Sequence, residues 1–298
     1  MKQTSSGYTL WSAAIVLCLI ASLFALFFAS CTKPETSSPG GGLNVENEDL
    51  SAFSPEGGDN PLSPGAPGEN GEPGNPSGGT DEPSGETGPV RLGETEDAGR
   101  EYLDKLIFLG DSTTYGIGYY YDHGFSADLV PPSQIWTPAS GTLTLAYSAT
   151  ATIVYPETGE EIFIRDAVER AKPEYLVITL GVNGISFMDE AWFIRDYTAL
   201  VESVKTASPE TKIILNSIYP VTANYPLQKD INNDKIRAAN GWIEQIAADT
   251  GTRFLYTYEA VADENGNLPE DSTNDIGIHL TGEAFVKVMR YIRTHEYR

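Results

Sequence analysis

Sulfur and imidazole are scarce in this chain. Its 298 residues hold two cysteines, Cys18 and Cys31, and three histidines, His123, His279 and His295. A cysteine-rich zinc site, an iron–sulfur cluster and a disulfide framework all need more thiols than that. Positive charge is also short: 19 Lys and Arg stand against 42 Asp and Glu, a net of −23. A nucleic-acid binder needs a basic face to displace counterions from phosphate. An anionic lipid surface attracts the same sign. Both are poor partners for an acidic chain. Glycine (29) and proline (19) are plentiful, and their uneven distribution divides the chain in three.

Residues 1–30 read as an export signal. Lys2 supplies a short positive region, and Leu10 to Ala29 is almost entirely apolar or small. Phe28-Ala29-Ser30-Cys31 resembles a bacterial lipobox, in which small residues precede a cysteine that is lipidated and becomes the new N-terminus. The competing reading is an uncleaved membrane helix, since about 20 apolar residues span a bilayer. Either way the remaining chain is expected outside the cytoplasm, on the outer face of a bacterial cell membrane. Lipidation at Cys31 would consume the only thiol left after cleavage.

Residues 31–97 read as a disordered linker. Positions 32–97 carry 14 Gly, 10 Pro, one aromatic (Phe53), and 14 acids against two bases, Lys33 and Arg91. Such a segment buries too little apolar surface to offset its chain entropy. Four Gly-x-x triplets at 65–76 are too few for a collagen helix, so the spacer reading stands. A flexible chain of this length reaches about 45 Å root-mean-square, from roughly 5–6 Å × √n.

Residues 98–298 are the expected working domain, with 16 bases against 28 acids. Leu106–Gly110, Tyr175–Leu180, Lys212–Ile218 and Arg253–Tyr256 are short apolar runs without polar alternation, the mark of strands buried on both faces. Helical spacing is expected over Glu161–Ala171, Met188–Ala207, Ile231–Thr250 (Gly251 as C-cap) and Glu283–Thr294 (Thr281 as N-cap). The alternation predicts an α/β domain, a parallel sheet with helices on both faces. In such sheets ligands bind beyond the carboxyl ends of the strands. The Tyr-, Thr- and Ser-rich stretch 118–158 is the least legible, and extra β-structure is the expectation there.

Three weak signals fall at that edge. Ser112 follows the first strand in Gly110-Asp111-Ser112-Thr113-Thr114, at a strand-to-helix turn. The turn leaves a hydroxyl exposed beside free backbone N–H groups, as a nucleophilic serine needs. An ordinary N-cap serine or a phosphate-cradling loop reads the same way. Asn183, in Leu180-Gly181-Val182-Asn183-Gly184, offers an amide NH₂ for a developing oxyanion, against a plain Asn-Gly turn. His279, in Asp275-Ile276-Gly277-Ile278-His279, has an upstream carboxylate able to fix its tautomer.

In the order Ser, Asn, His, these blocks resemble the SGNH-hydrolase family, also called GDSL esterases/lipases. The resemblance covers about residues 104–295 and implies a three-layer α/β/α sandwich with a parallel, flavodoxin-like sheet. It implies Ser112 as nucleophile and His279 as general base, with the Ser112 N–H and Asn183 as oxyanion donors. No Gly-x-Ser-x-Gly elbow of the α/β-hydrolase type is present. Three positions depart from the family pattern. Gly184 stands where the family has Asp. Asp275 lies four residues before His279 rather than three. The family's oxyanion glycine is not obvious: Gly141 is the choice here, with Gly159 as competitor.

The resemblance implies an ester hydrolase working through an acyl-serine, with no metal or organic cofactor. The expected substrate is a small ester or acylated carbohydrate with a short acyl group such as acetyl, and the expected state is a monomer. A rate flat from about pH 5 to 9 would count against a histidine base, which changes charge inside that window. Rival readings are a surface lipoprotein that keeps the fold and binds glycan or a partner, a phosphate or cofactor binder, and an acyltransferase. His123, in Tyr-Asp-His-Gly, reads as a surface loop residue, with the cleft mouth as the alternative, and His295 falls in the tail of the terminal helix. The Tyr119-Tyr120-Tyr121 run with Trp136 is a candidate sugar-stacking wall, against core or loop packing as the commoner use of aromatics.

Overall fold

The computed structural model describes residues 90–298; the export segment, Cys31 and the linker up to residue 89 lie outside them. Four of the apolar runs form strands where the sequence places them: β1 (Leu106–Gly110), β5 (Tyr175–Thr179), β6 (Lys212–Asn216) and β7 (Arg253–Leu255). Three short strands complete the set: β2 (Ile135–Trp136), β3 (Thr152–Val154) and β4 (Glu161–Phe163). The main sheet runs β2-β1-β5-β6-β7 and every pair in it is parallel. β3 and β4 form a separate antiparallel ribbon.

Seven α-helices accompany them among the described residues: α1 (Gly99–Leu103), α2 (Ser112–Tyr120), α3 (Ile164–Ala171), α4 (Glu190–Ala207), α5 (Asn233–Thr250), α6 (Tyr258–Val261) and α7 (Gly282–Arg293). Alternate residues of each central strand serve two different cores. Leu176 and Ile178 of β5 pack with Val168 of α3, Phe193 and Tyr197 of α4 and Ile243 of α5. Tyr175 and Val177 pack with Leu103 of α1, Ile117 of α2 and Phe285 and Val288 of α7. All five residues of β5 are buried, which is why its sequence shows no polar alternation. The result is the expected α/β/α sandwich.

Caps fall where side-chain chemistry puts them. Asp189, Asn232 and Thr281 accept a backbone N–H at the starts of α4, α5 and α7. Gly251 ends α5 in a left-handed turn at φ 68°.

Two boundaries differ from the sequence reading. Glu161–Phe163, expected as the first turn of a helix, pairs instead with Val154–Thr152, and α3 begins at Ile164. Residues 90–97, expected as the end of the linker, belong to the folded unit. Arg91 bridges Phe254 in parallel, with the Leu92 N–H donating to the Phe254 carbonyl at 2.8 Å and the Phe254 N–H to Val90 at 2.9 Å. Leu92 is buried, Arg91 pairs with Glu244 at 2.9 Å, and Asp97 pairs with Arg293. This strap covers the open edge of β7, whose unpaired groups would otherwise face solvent.

Candidate active site

The sheet order reverses direction at β1, which has β2 on one side and β5 on the other. The crevice beyond the carboxyl ends of β1 and β5 is therefore the topological switch point. Ser112 lies two residues beyond the end of β1, and Asn183 four residues beyond the end of β5.

Gly110 makes the turn possible. A Cβ there would lie 2.1 Å from Thr114 Oγ1 and 2.6 Å from the Thr179 carbonyl, so no side chain fits. Asp111 then caps α2, its carboxylate accepting the Thr113 N–H at 3.0 Å and the Thr113 hydroxyl at 2.7 Å. It is buried, and burial pushes its carboxyl above the usual range against the pull of those hydrogen bonds. Ser112 is the first residue of α2, so its N–H has no acceptor within the helix.

His279 arrives from the loop before α7. Its Nε2 is 2.9 Å from Ser112 Oγ, and its Nδ1 is 2.6 Å from Asp275 Oδ2. An ionised carboxylate only accepts, so Nδ1 carries the proton and Nε2 is left to accept the serine O–H. The second oxygen of Asp275 accepts the backbone N–H groups of Gly277, Ile278 and His279 at 3.0, 3.1 and 3.2 Å. Burial alone would raise the Asp275 carboxyl. The His279 hydrogen bond and charge, with the Ile278 and Gly277 N–H donors, outweigh it and hold the group well below the usual carboxylate range.

The four-residue spacing between Asp275 and His279 is absorbed at Gly277. Its φ of 116° lies in glycine's territory, and a Cβ there would meet Thr222 Oγ1 at 2.2 Å. The tight turn folds the carboxylate back over three N–H groups and still reaches the imidazole. Thr273 pins the far side, its hydroxyl donating to the His279 carbonyl at 2.9 Å.

Asn183 follows Gly181, whose φ is 130° and whose Cβ would lie 2.8 Å from both Ile218 and Phe193. The Asn183 side chain is half-buried, and its Nδ2 donates to the Leu143 carbonyl at 3.1 Å. That bond fixes the amide with its NH₂ committed on one hydrogen, leaving the second N–H for another acceptor. At Gly184, where the family pattern has Asp, the space is filled by Met188: a Cβ would meet its sulfur at 2.7 Å.

Gly141 does not fit the oxyanion assignment. Its N–H donates to the Pro138 carbonyl at 2.8 Å, closing a turn, and an oxyanion donor needs a free N–H. Gly159 is committed in the same way, to Tyr155 at 2.7 Å. Trp136, expected on a sugar-stacking wall, is buried in the core, and Tyr120 packs against Phe125 and Phe285. Tyr115, one turn beyond Ser112 and exposed, was not among the residues the sequence singled out; its i+3 spacing from Ser112 was the available signal.

Residues 108–285 match the model of the GDSL-like Lipase/Acylhydrolase family. No curated protein matches the chain. Among solved structures, a GDSL-like lipase from Bacteroides thetaiotaomicron is 22% identical, with 63% of this chain and 85% of that one covered and a TM-score of 0.43. The periplasmic domain of a lipopolysaccharide acetyltransferase from Salmonella ser. Paratyphi A is 17% identical over 67% and 82% of the two chains, TM-score 0.40. A carbohydrate esterase family 3 protein from Talaromyces cellulolyticus is 16% identical over 62% and 92%, TM-score 0.41. The family match begins inside β1 and ends inside α7, spanning most of the described residues, so the chain belongs to the GDSL-like lipase/acylhydrolase family and is a serine ester hydrolase.

Proposed function

We propose that Ser112, His279 and Asp275 form the catalytic triad of an esterase displayed outside a bacterial cell and held to the membrane through a lipid on Cys31. The substrates are short acyl esters, acetyl above all, on carbohydrate. The observation that carries the triad is the continuous hydrogen-bond chain from the Asp275 carboxylate through His279 to Ser112 Oγ.

The steps follow from that geometry. Ser112 Oγ attacks the ester carbonyl while His279 Nε2 takes its proton. Asp275, ionised, stabilises the imidazolium. The oxyanion is met by the Ser112 N–H and the free N–H of Asn183. His279 then returns the proton to the leaving alkoxide, and an acyl-serine remains. Water attacks it, giving its proton to the same imidazole, and the acid departs as Ser112 regains its hydrogen. What supports the short-acyl reading is the sequence of residues 98–298, which holds no extended apolar run of the kind that lines a long-chain acyl channel.

The test is hydrolysis of acetyl and octanoyl nitrophenyl esters by the full chain and by Ser112→Ala, with circular dichroism confirming that both are folded. The expected result is acetyl preference and loss of about 10³-fold or more in the variant. Equal rates in the two proteins would overturn the triad. A preference for octanoyl would overturn the short-acyl reading alone.

A further inference from the structure

Ser112, Tyr115 and Tyr119 stand at i, i+3 and i+7 of α2, so their side chains leave along one face of the helix. At about 1.5 Å per residue, Tyr119 lies about 6 Å further along the axis than Tyr115, close to the length of one sugar ring. Both are exposed, at 52% and 46%, while Thr113, Thr114, Ile117 and Gly118 on the other side of the helix are buried.

Each ring has a neighbour behind it. The Tyr115 ring lies against Gly141, where a Cβ would stand 3.6 Å from its Cγ, and Gly141 holds a φ of 69°. The glycine expected to bind an oxyanion thus serves as the seat of an aromatic ring. Tyr119 is backed by the His123 imidazole, with ring centroids 4.1 Å apart and planes 18° from parallel. His123 is itself held, its Nδ1–H donating to the Tyr119 carbonyl at 2.6 Å. A ring backed by a neighbour before a ligand arrives loses less conformational freedom on binding than a free one.

Each tyrosine presents an apolar ring face, which matches the C–H face of a pyranose. The stretch Ser112–Phe125 contains one acid, Asp122, and no Lys or Arg. Among the described residues, no cation lies over either ring. An anionic saccharide therefore has no charged partner on this face, whereas a neutral one needs none.

We infer that Tyr115 and Tyr119 form a platform binding the neutral sugar rings that carry the ester, and so set the specificity of the reaction at Ser112. This rests on the serine-esterase reading for its catalytic consequence, but the binding it asserts is independent of turnover.

Two measurements on the full chain separate the two. In a Ser112→Ala background, calorimetric binding of acetylated xylobiose should weaken roughly tenfold for each ring removed by Tyr115→Ala and Tyr119→Ala, and should be kept by Tyr115→Phe and Tyr119→Phe. In the active protein, kcat/KM for acetylated xylobiose should fall at least tenfold more than that for ethyl acetate, which has no ring to stack. No measurable binding of acetylated xylobiose, binding indifferent to both alanine variants, or equal losses on the two esters would overturn the platform. Ethyl acetate hydrolysis that is the same with and without Ser112 would overturn the esterase reading and leave the binding result to decide the platform.

Discussion

Replacing Asp275 with asparagine changes one atom's chemistry and tests the whole site. The three backbone N–H groups at Gly277, Ile278 and His279 still need an acceptor, so the asparagine oxygen stays with them. Its NH₂ then faces His279 Nδ1, which must accept. The ring is forced into the other tautomer, with the hydrogen on Nε2, and it donates to Ser112 instead of taking its proton. Ser112 is present, in place and unactivated. The charge that stabilises the imidazolium is gone as well. A wrong-tautomer triad loses about 10⁴ in kcat in the serine-protease precedent, equivalent to about 5.5 kcal/mol of barrier at about 1.36 kcal/mol per factor of ten. The loss should appear in kcat with KM little changed, because no ground-state contact with the ester is removed. The assay is acetyl-ester hydrolysis at pH 7 with circular dichroism as a control for folding. A variant retaining a tenth or more of wild-type kcat refutes the reasoning, because His279 would then be oriented by something other than Asp275.

Other expectations follow from the same contacts. Gly277→Ala forces a side chain into Thr222 at a backbone angle favouring glycine; a loss of roughly 1–3 kcal/mol, with the acetyl-ester rate falling as the Asp275 turn opens, should be seen by denaturant titration and kinetics. Asp275 has its folded carboxyl lowered, so its stabilisation is complete above the ordinary carboxylate range and is lost as pH falls below it; the Asp275→Asn difference in thermal midpoint should shrink on acidification to pH 3. Asp111 has the opposite sign: its raised carboxyl makes the ionised form a cost at neutral pH, so Asp111→Asn, which keeps the acceptor for Thr113, should raise the thermal midpoint more at pH 8 than at pH 4. Leu92→Ala, on the strap, should cost about 2 kcal/mol by removing a buried leucine, with kcat unchanged.

The parts of this molecule written into short stretches of sequence were legible. β5 reads as a strand because both its faces are buried, so the four apolar residues Tyr175–Ile178 in a row have one explanation. Ser112, Asn183 and His279 stand out because they follow strand ends or precede a capped helix, where a parallel sheet collects its chemistry. What escaped depends on partners far away in sequence. Val90 and Leu92 sit in an acidic, Gly- and Pro-rich context, and only Phe254, more than 160 residues on, makes them structure. Glu161–Phe163 looks like a helical turn until Thr152–Val154 offers it a ladder. Gly141 has the residue type of an oxyanion donor, but its N–H is spent on Pro138 three residues earlier, and no composition or spacing records that.

The strap at Val90–Leu92 also fixes the rim at which residue 90 joins the folded unit. It runs parallel to β7, so the chain enters the folded unit from the rim where the strands begin, while Ser112 occupies the rim where they end. A pull on residue 90, with the opposite rim held, runs along the strap rather than across it. Its two ladder hydrogen bonds and the Arg91–Glu244 pair then carry the load together, in shear, instead of opening one after another as a peeled edge does. Ser112 thus stands on the rim opposite the one where residue 90 enters, and tension along residues 90–92 is shared by three bonds at once.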